Sequence, residues 1–282
     1  MKRVLASARV LSARRLTQRW IAASPLFVVA LSATIYALSP PEARESVLQV
    51  EIDVSKALAL AGIVAAALAF DRGDYLRRGW AAWAGCYVLL LARDAVLLGA
   101  THLSPLACDV VRGVLVALGN VCVVAGTWML GRAWSVAGLE HPGSRGARRA
   151  AVALGIAATV VFAGPTFYVD VRDLVLGSAA RYDMIASDLG DLLSLPLIAP
   201  VGLTALAVRE GSLRWTWALL TASLLAWLMY DAVYTVPDLF LGAPPSLRQI
   251  AAQFDVLAGL FACAAGLAQR KAVMDDDDEP PS

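Results

Sequence analysis

Residues 80–96, WAAWAGCYVLLLARDAV, and residues 217–233, WALLTASLLAWLMYDAV, decide how this chain is read. Each opens on a tryptophan, runs apolar for most of a membrane crossing, and carries the triplet Asp-Ala-Val at the same distance from that tryptophan. Trp80 therefore stands to Asp94 as Trp217 stands to Asp231. An ionisable group placed mid-membrane costs about 2.5–3.5 kcal/mol on insertion scales, so both aspartates are expected to face the inside of a helix bundle.

The match extends toward the N-terminus of each stretch. Residues 53–73, DVSKALALAGIVAAALAFDRG, align without a gap onto residues 191–211, DLLSLPLIAPVGLTALAVREG, sharing the outer aspartate, an Ala-Leu-Ala before the exit and the glycine after it. Any two Ala/Leu-rich helices can share Ala-Leu-Ala. The ordered set of Asp, Gly, Trp and Asp-Ala-Val across two helices is what argues for an internal repeat.

Composition sets the solvent. Of 282 residues 59% are hydrophobic and 17% charged, with mean hydropathy +0.65, which lies outside the range of soluble domains. Apolar runs near the twenty residues a crossing helix needs fall at residues 20–39, 54–71, 79–100, 109–131, 150–169, 188–208, 215–236 and 248–268. The expected fold is therefore all-α, a polytopic membrane protein with eight transmembrane helices. An even number of spans per repeat makes the halves parallel, two four-helix units related by an axis along the membrane normal.

The net charge of +1 hides a segregated pattern. Arg72, Arg77 and Arg78 follow the second run, Arg132, Arg145, Arg148 and Arg149 flank the link from fourth to fifth, and Arg209 and Arg214 follow the sixth. With the basic residues of 1–19 and Arg270–Lys271 these mark one side, so both termini are expected in the cytoplasm. The opposite loops carry Glu42, Glu45, Glu51, Asp170, Asp173 and Asp183. The organisation read from this is a basic amphipathic arm (1–19), a first repeat (20–134), a cytoplasmic linker (135–149), a second repeat (150–271) and an acidic disordered tail (272–282). Trp20, Trp80, Trp134, Trp215 and Trp217 fall near expected interfaces and read as a belt at the headgroups.

Chemistry is expected in one layer. Counted at about 1.5 Å per residue, Asp94, Asp231 and Asp255 rise about 20–25 Å from the cytoplasmic side, and Asp188, Asp191, Asp109 and Arg112 reach the same level from outside. Arg93 adjoins Asp94, but neighbouring helical residues point about 100° apart, so each is expected to pair with another helix. Tyr230 with Tyr234, Gln249 with Gln253, and Asp109 with Arg112 have the spacing of one helix face. Asn120 reads as interhelical glue, and Pro196 and Pro200 break the sixth run where freed carbonyls could face a site. The candidate ligand-binding set is Asp94, Asp231, Asp255, Asp191, Asp188, Arg93, Arg112, Tyr230, Tyr234 and Gln253. Carboxylates outnumber the arginines counted at this level, which calls for a cation, a proton or a donor-rich ligand; internal ion pairs locking the helices are the structural alternative.

Other chemistry finds little support. Cys86, Cys108, Cys122 and Cys263 lack CxxC or metal-ligand spacing and are expected to be free thiols; His102 and His141 lie outside the runs, so no metal ligands are assigned. There is no Walker loop, GxSxG, HExxH or Asp-rich prenyltransferase signature, so no catalytic residue is named and no cofactor is implied. Nothing points to nucleic acid. The leading expectation is a carrier or permease of the bacterial inner membrane, multi-pass, binding a small cationic or proton-coupled solute in an outward-facing acidic cavity. A sensor or assembly subunit working through its cytoplasmic face, with a protein partner or as a homo-oligomer, is the second reading. A lipid-modifying enzyme acting through paired carboxylates is the third.

Overall fold

In a computed structural model the chain is described over residues 2–98, 103–136, 143–177, 182–207, 213–241 and 245–277; within these, the side chains of 2–16, 231 and 234–246, with a few others, lie outside the description. Among the described residues every regular element is helical. In chain order they are α1 (Lys2–Leu38), α2 (Arg44–Leu68), α3 (Tyr75–Leu98), α4 (Pro105–Gly131), the short α5 (Ala133–Val136), α6 (Arg145–Phe162), α7 (Gly164–Val175), α8 (Tyr182–Ser194), α9 (Ile198–Ala207), α10 (Leu213–Leu241) and α11 (Pro245–Asp277).

Local chemistry sets several boundaries. Ser104 caps α4 by accepting the Ala107 amide, with Pro105 supplying a ready helical φ at the first position, and Ser144 accepts the Ala147 amide to cap α6. Pro165 lacks an amide donor, and at Gly164 the path turns by 45° between α6 and α7. Pro196 lies in a one-turn 3-10 segment, Leu195–Leu197, that separates α8 from α9, where the sequence reading places a broken helix. The Thr204 hydroxyl donates to the Pro200 carbonyl at 2.9 Å.

Among the described residues four segments are long and apolar enough to cross a membrane: Thr17–Leu38, Pro105–Gly131, Met184–Leu206 and Gln249–Met274. The bent pair α6–α7 makes a fifth if it counts as one span. Their outer faces are apolar in a way water does not tolerate, with Leu26, Phe27, Leu31 and Ile35 exposed on α1 and Val114, Leu118, Val121 and Trp128 on α4. Of the other long helices, α2, α3 and α10, the first two carry Glu51, Asp53, Lys56, Arg93 and Asp94 within their length and α10 carries Asp231.

The centre of the bundle is α11. Over its apolar window 61% is buried, against 11% for the window of α1. It packs extensively on α10 and α2, while α3 packs on α4 and α2, and α4 on α8. Small residues make the closest seam: a Cβ added at Gly62 would meet the Cys263 carbonyl oxygen at 2.5 Å, one at Gly266 would strike the Gly62 carbonyl, and one at Gly259 would meet Ser55 Oγ at 2.9 Å. Without a hydrophobic drive between helices in lipid, backbone approach of this kind supplies the dispersion contact. The α3–α4 seam follows the same logic, since Gly126 leaves room for the Trp83 ring, whose Nε1 donates to Thr127 Oγ1 at 3.0 Å. Trp83→Phe removes the indole N–H together with part of the ring volume and leaves that buried hydroxyl without its donor; a loss of about 1–3 kcal/mol is expected in reversible unfolding of the full chain in mixed micelles.

One expectation needs correction. Trp80 and Trp217 are not belt residues: they are 0% and 5% exposed and belong to the core, because their helix faces point inward at that level. Trp20, by contrast, is 69% exposed, while the Trp134 side chain is not described. The helix α1 runs without a break from Lys2 through the apolar segment, and α11 continues to Asp277. His102, His141 and most of the 135–149 linker's first half lie outside the described residues.

Candidate functional site

Inside the bundle a cavity of about 270 Å³ opens between α2, α3, α4, α8, α10 and α11. Its charged lining is divided by position in the chain. Lys56, Arg93 and Arg112 come from α2, α3 and α4; Asp188, Asp191 and Asp255 come from α8 and α11. Aromatic rings supply much of the rest: Trp83 and Tyr87 on α3, with centroids 6.5 Å apart, and Trp227 and Tyr230 on α10, edge to face at 6.1 Å.

Lys56 organises the basic side. It is 2% exposed, and its Nζ donates to Asp94 Oδ2 at 2.7 Å. Asp94 does not line the cavity; it lies one layer back, since both of its partners do. Arg93 reaches round its own helix to give Asp94 Oδ1 two hydrogen bonds, from Nε at 2.8 Å and Nη2 at 2.7 Å. The expectation that Arg93 and Asp94 pair with separate helices therefore fails for the arginine. A guanidinium on a three-carbon stem spans the angular gap that Cβ directions alone would leave. For Asp94 the expected partner on another helix is Lys56 of α2, so two cations share its carboxylate.

Asp255 is 8% exposed, and its Oδ1 is buried with no hydrogen-bond partner among the described residues. It lies within the fields of Lys56 and Arg93, yet no hydrogen bond joins it to either. Asp188 is buried and Asp191 half-buried on one face of α8, as their spacing requires. Asn120 fixes that helix against α4: its Nδ2 donates to the Ala186 carbonyl at 2.7 Å, and its amide fills the space where a side chain on Gly190 would stand. Gly190→Ala is accordingly expected to push α8 off α4, lowering the thermal midpoint of the full chain in detergent by several degrees, while Gly73→Ala, with open space around the new methyl, leaves it unchanged.

Of the ten candidate residues, the cavity brings together Arg93, Arg112, Asp188, Asp191, Tyr230 and Asp255, with Asp94 directly behind. Gln253 faces elsewhere, accepting a hydrogen bond from the Ser32 hydroxyl of α1 at 3.3 Å. The side chains of Asp231 and Tyr234 lie outside the described residues. Asp109 pairs with Arg112 at 3.8 Å along α4. All four cysteines are free, Cys86 lining the cavity. Among the described residues no three potential ligands gather as a metal site.

Lys56 is the residue that the reading of the sequence passed over. A lysine inside the apolar run of residues 53–73 was visible as a charge of the kind that marks function where such a run crosses a membrane. It falls at the Ser194 position of the second copy, so a comparison that kept only identities discarded it. Comparison with protein-family models, with curated proteins and with solved structures finds no match to the chain.

Proposed function

We propose that the chain is a carrier or permease of a bacterial inner membrane, and that the cavity among α2, α3, α4, α8, α10 and α11 is its solute site. In this reading eight spans form two parallel four-helix repeats with both termini cytoplasmic, and the cavity lies toward the outer face. The solute is a small molecule bearing a positive group, or one whose binding is linked to a proton. The observation that carries the reading is the buried carboxylate of Asp255, with an oxygen unpaired at the wall of a cavity of about 270 Å³ lined by charge from both halves. Ionisable side chains kept at such depth mark substrate or proton paths more often than packing.

The repeat gains support from the cavity wall itself. In the Trp80/Trp217 register, Tyr87 matches Leu224, Leu90 matches Trp227 and Arg93 matches Tyr230, and all six side chains line the same space. Lys56 and its counterpart Ser194 line it too. The neighbours agree: α2 packs on α11 as α8 packs on α4, and α3 on α4 as α10 on α11. A site shared by two parallel halves suits rocking of one bundle against the other.

The test is uptake into liposomes containing the full chain, using a panel of radiolabelled small amines and amino acids. At least one is expected to accumulate above protein-free liposomes, and Asp255→Asn to lower that uptake about tenfold or more, as loss of one charge-assisted contact implies. No accumulation of any member, or uptake indifferent to Asp255→Asn, would contradict the reading.

A further inference from the structure

We propose that the cavity is built for a dipolar solute, one that carries an ammonium and an anionic group in the same small molecule. The inference rests on the solute-site reading above and narrows its ligand class. It starts from the division of charge. Among the described residues the cations on the cavity wall come from α2–α4 and the carboxylates from α8 and α11, so the two signs face the space from different helices, while Asp94 and Asp109, which pair with Arg93 and Arg112, do not line it. A ligand bearing one charge would meet an attractive wall on one side and a repulsive one on the other.

The hydrogen-bond inventory agrees. The Lys56 ammonium has three donors and among the described residues makes one hydrogen bond, to Asp94. It lines the cavity while 2% exposed, so its remaining N–H groups have little bulk water to meet. Asp255 presents the complementary need, a buried Oδ1 that lacks a donor among the described residues. Although Lys56 acts on Asp255 electrostatically, the two do not hydrogen-bond. An acceptor at Lys56 and a donor at Asp255 are what an amino-acid-like or phosphoethanolamine-like group offers together. Arg93 adds a second cation near the anionic end: its Nε and Nη2 are committed to Asp94, and its side chain, 27% exposed, still reaches the cavity.

The walls between the charges are aromatic and aliphatic, with Trp83, Tyr87, Leu90, Leu224 and Trp227. They suit an apolar middle. The volume sits just below the range of about 300–1,000 Å³ for drug-sized ligands, which limits the occupant to a small molecule or a lipid headgroup. Both sources share the dipolar chemistry, and two matched sets of probes separate them.

Binding to the purified full chain in detergent is measured by thermal shift and calorimetry. One set is phenylalanine, phenethylamine and 3-phenylpropionate; the other is glycerophosphoethanolamine, ethanolamine and glycerol 3-phosphate. In at least one set the dipolar member is expected to bind about ten- to a hundredfold more tightly than either member charged with one sign alone. A preference in the first set identifies a free amino-acid-like solute and one in the second a lipid headgroup. Asp255→Asn should erase the advantage given by the amine while keeping the response to the acid. Lys56→Met with Asp94→Asn, a pair of changes that leaves no buried charge stranded between α2 and α3, should erase the advantage given by the anionic group. Equal binding of an amine and its dipolar parent overturns the dipolar assignment and leaves the solute-site reading standing. Absence of binding by every probe overturns both.

Discussion

Asp94→Ala is expected to destabilise the full chain by about 3–5 kcal/mol in reversible unfolding from mixed micelles. The carboxylate it removes is the hydrogen-bond partner of Lys56, which is 3% exposed at its side chain and has no other hydrogen bond among the described residues. An ammonium left there must either shed its proton or draw water into the bundle, and both oppose folding. Arg93 suffers less, because its side chain is 27% exposed toward the cavity and can hydrate. Adding Lys56→Met to Asp94→Ala should recover most of the loss, since a pair replaced by apolar groups carries no stranded charge. A coupling near zero between the two substitutions would mean that Lys56 and Asp94 do not meet in the folded protein.

The second large effect is expected at the seam of α2 and α11. Gly266→Val should cost about 3 kcal/mol, at the upper end of the range for overpacking, because the first added carbon already overlaps the backbone of Gly62 and a carbonyl cannot rotate away. The two helices must separate, and they carry Lys56 and Asp255 respectively. Ligand affinity should therefore fall together with stability. Trp83→Phe, which perturbs the α3–α4 contact, should lower stability with a smaller effect on binding. Thermal unfolding and calorimetry on the same preparations check both.

What could be read beforehand follows from the physics of each feature. Periodic apolar runs bounded by arginine locate helices from sequence, and the α10 stretch around Asp231 and the α3 stretch around Asp94 both form helix where the paired motif says they should. The break at Pro196 was legible for the same reason, since a missing amide acts locally. Which way a side chain turns is not local. Trp80 and Trp217 sit at the sequence depth of a headgroup belt, but their helices present that face to α11 and its neighbours, so they are buried. The Arg93–Asp94 bond escaped a rule about Cβ directions because a long guanidinium can fold back along its own helix. Lys56 was missed as the partner of Asp94 because the two are 38 residues apart and only tertiary packing of α2 on α3 joins them. The glycine pattern of α2 and α11 was present in the sequence too, but small residues are spread through this chain and only the packed pair shows which of them touch.

The decisive measurement is a side-chain-resolved cryo-EM map of the full chain in lipid nanodiscs. Lys56 Nζ is expected within hydrogen-bonding distance of Asp94, α2 and α11 in backbone contact at Gly62 and Gly266, and Asp255 facing a space shared with Arg93, Arg112 and Asp191. A map in which Asp255 or Asp94 points to lipid, or in which side chains hold α2 apart from α11 and close that space, would contradict this arrangement.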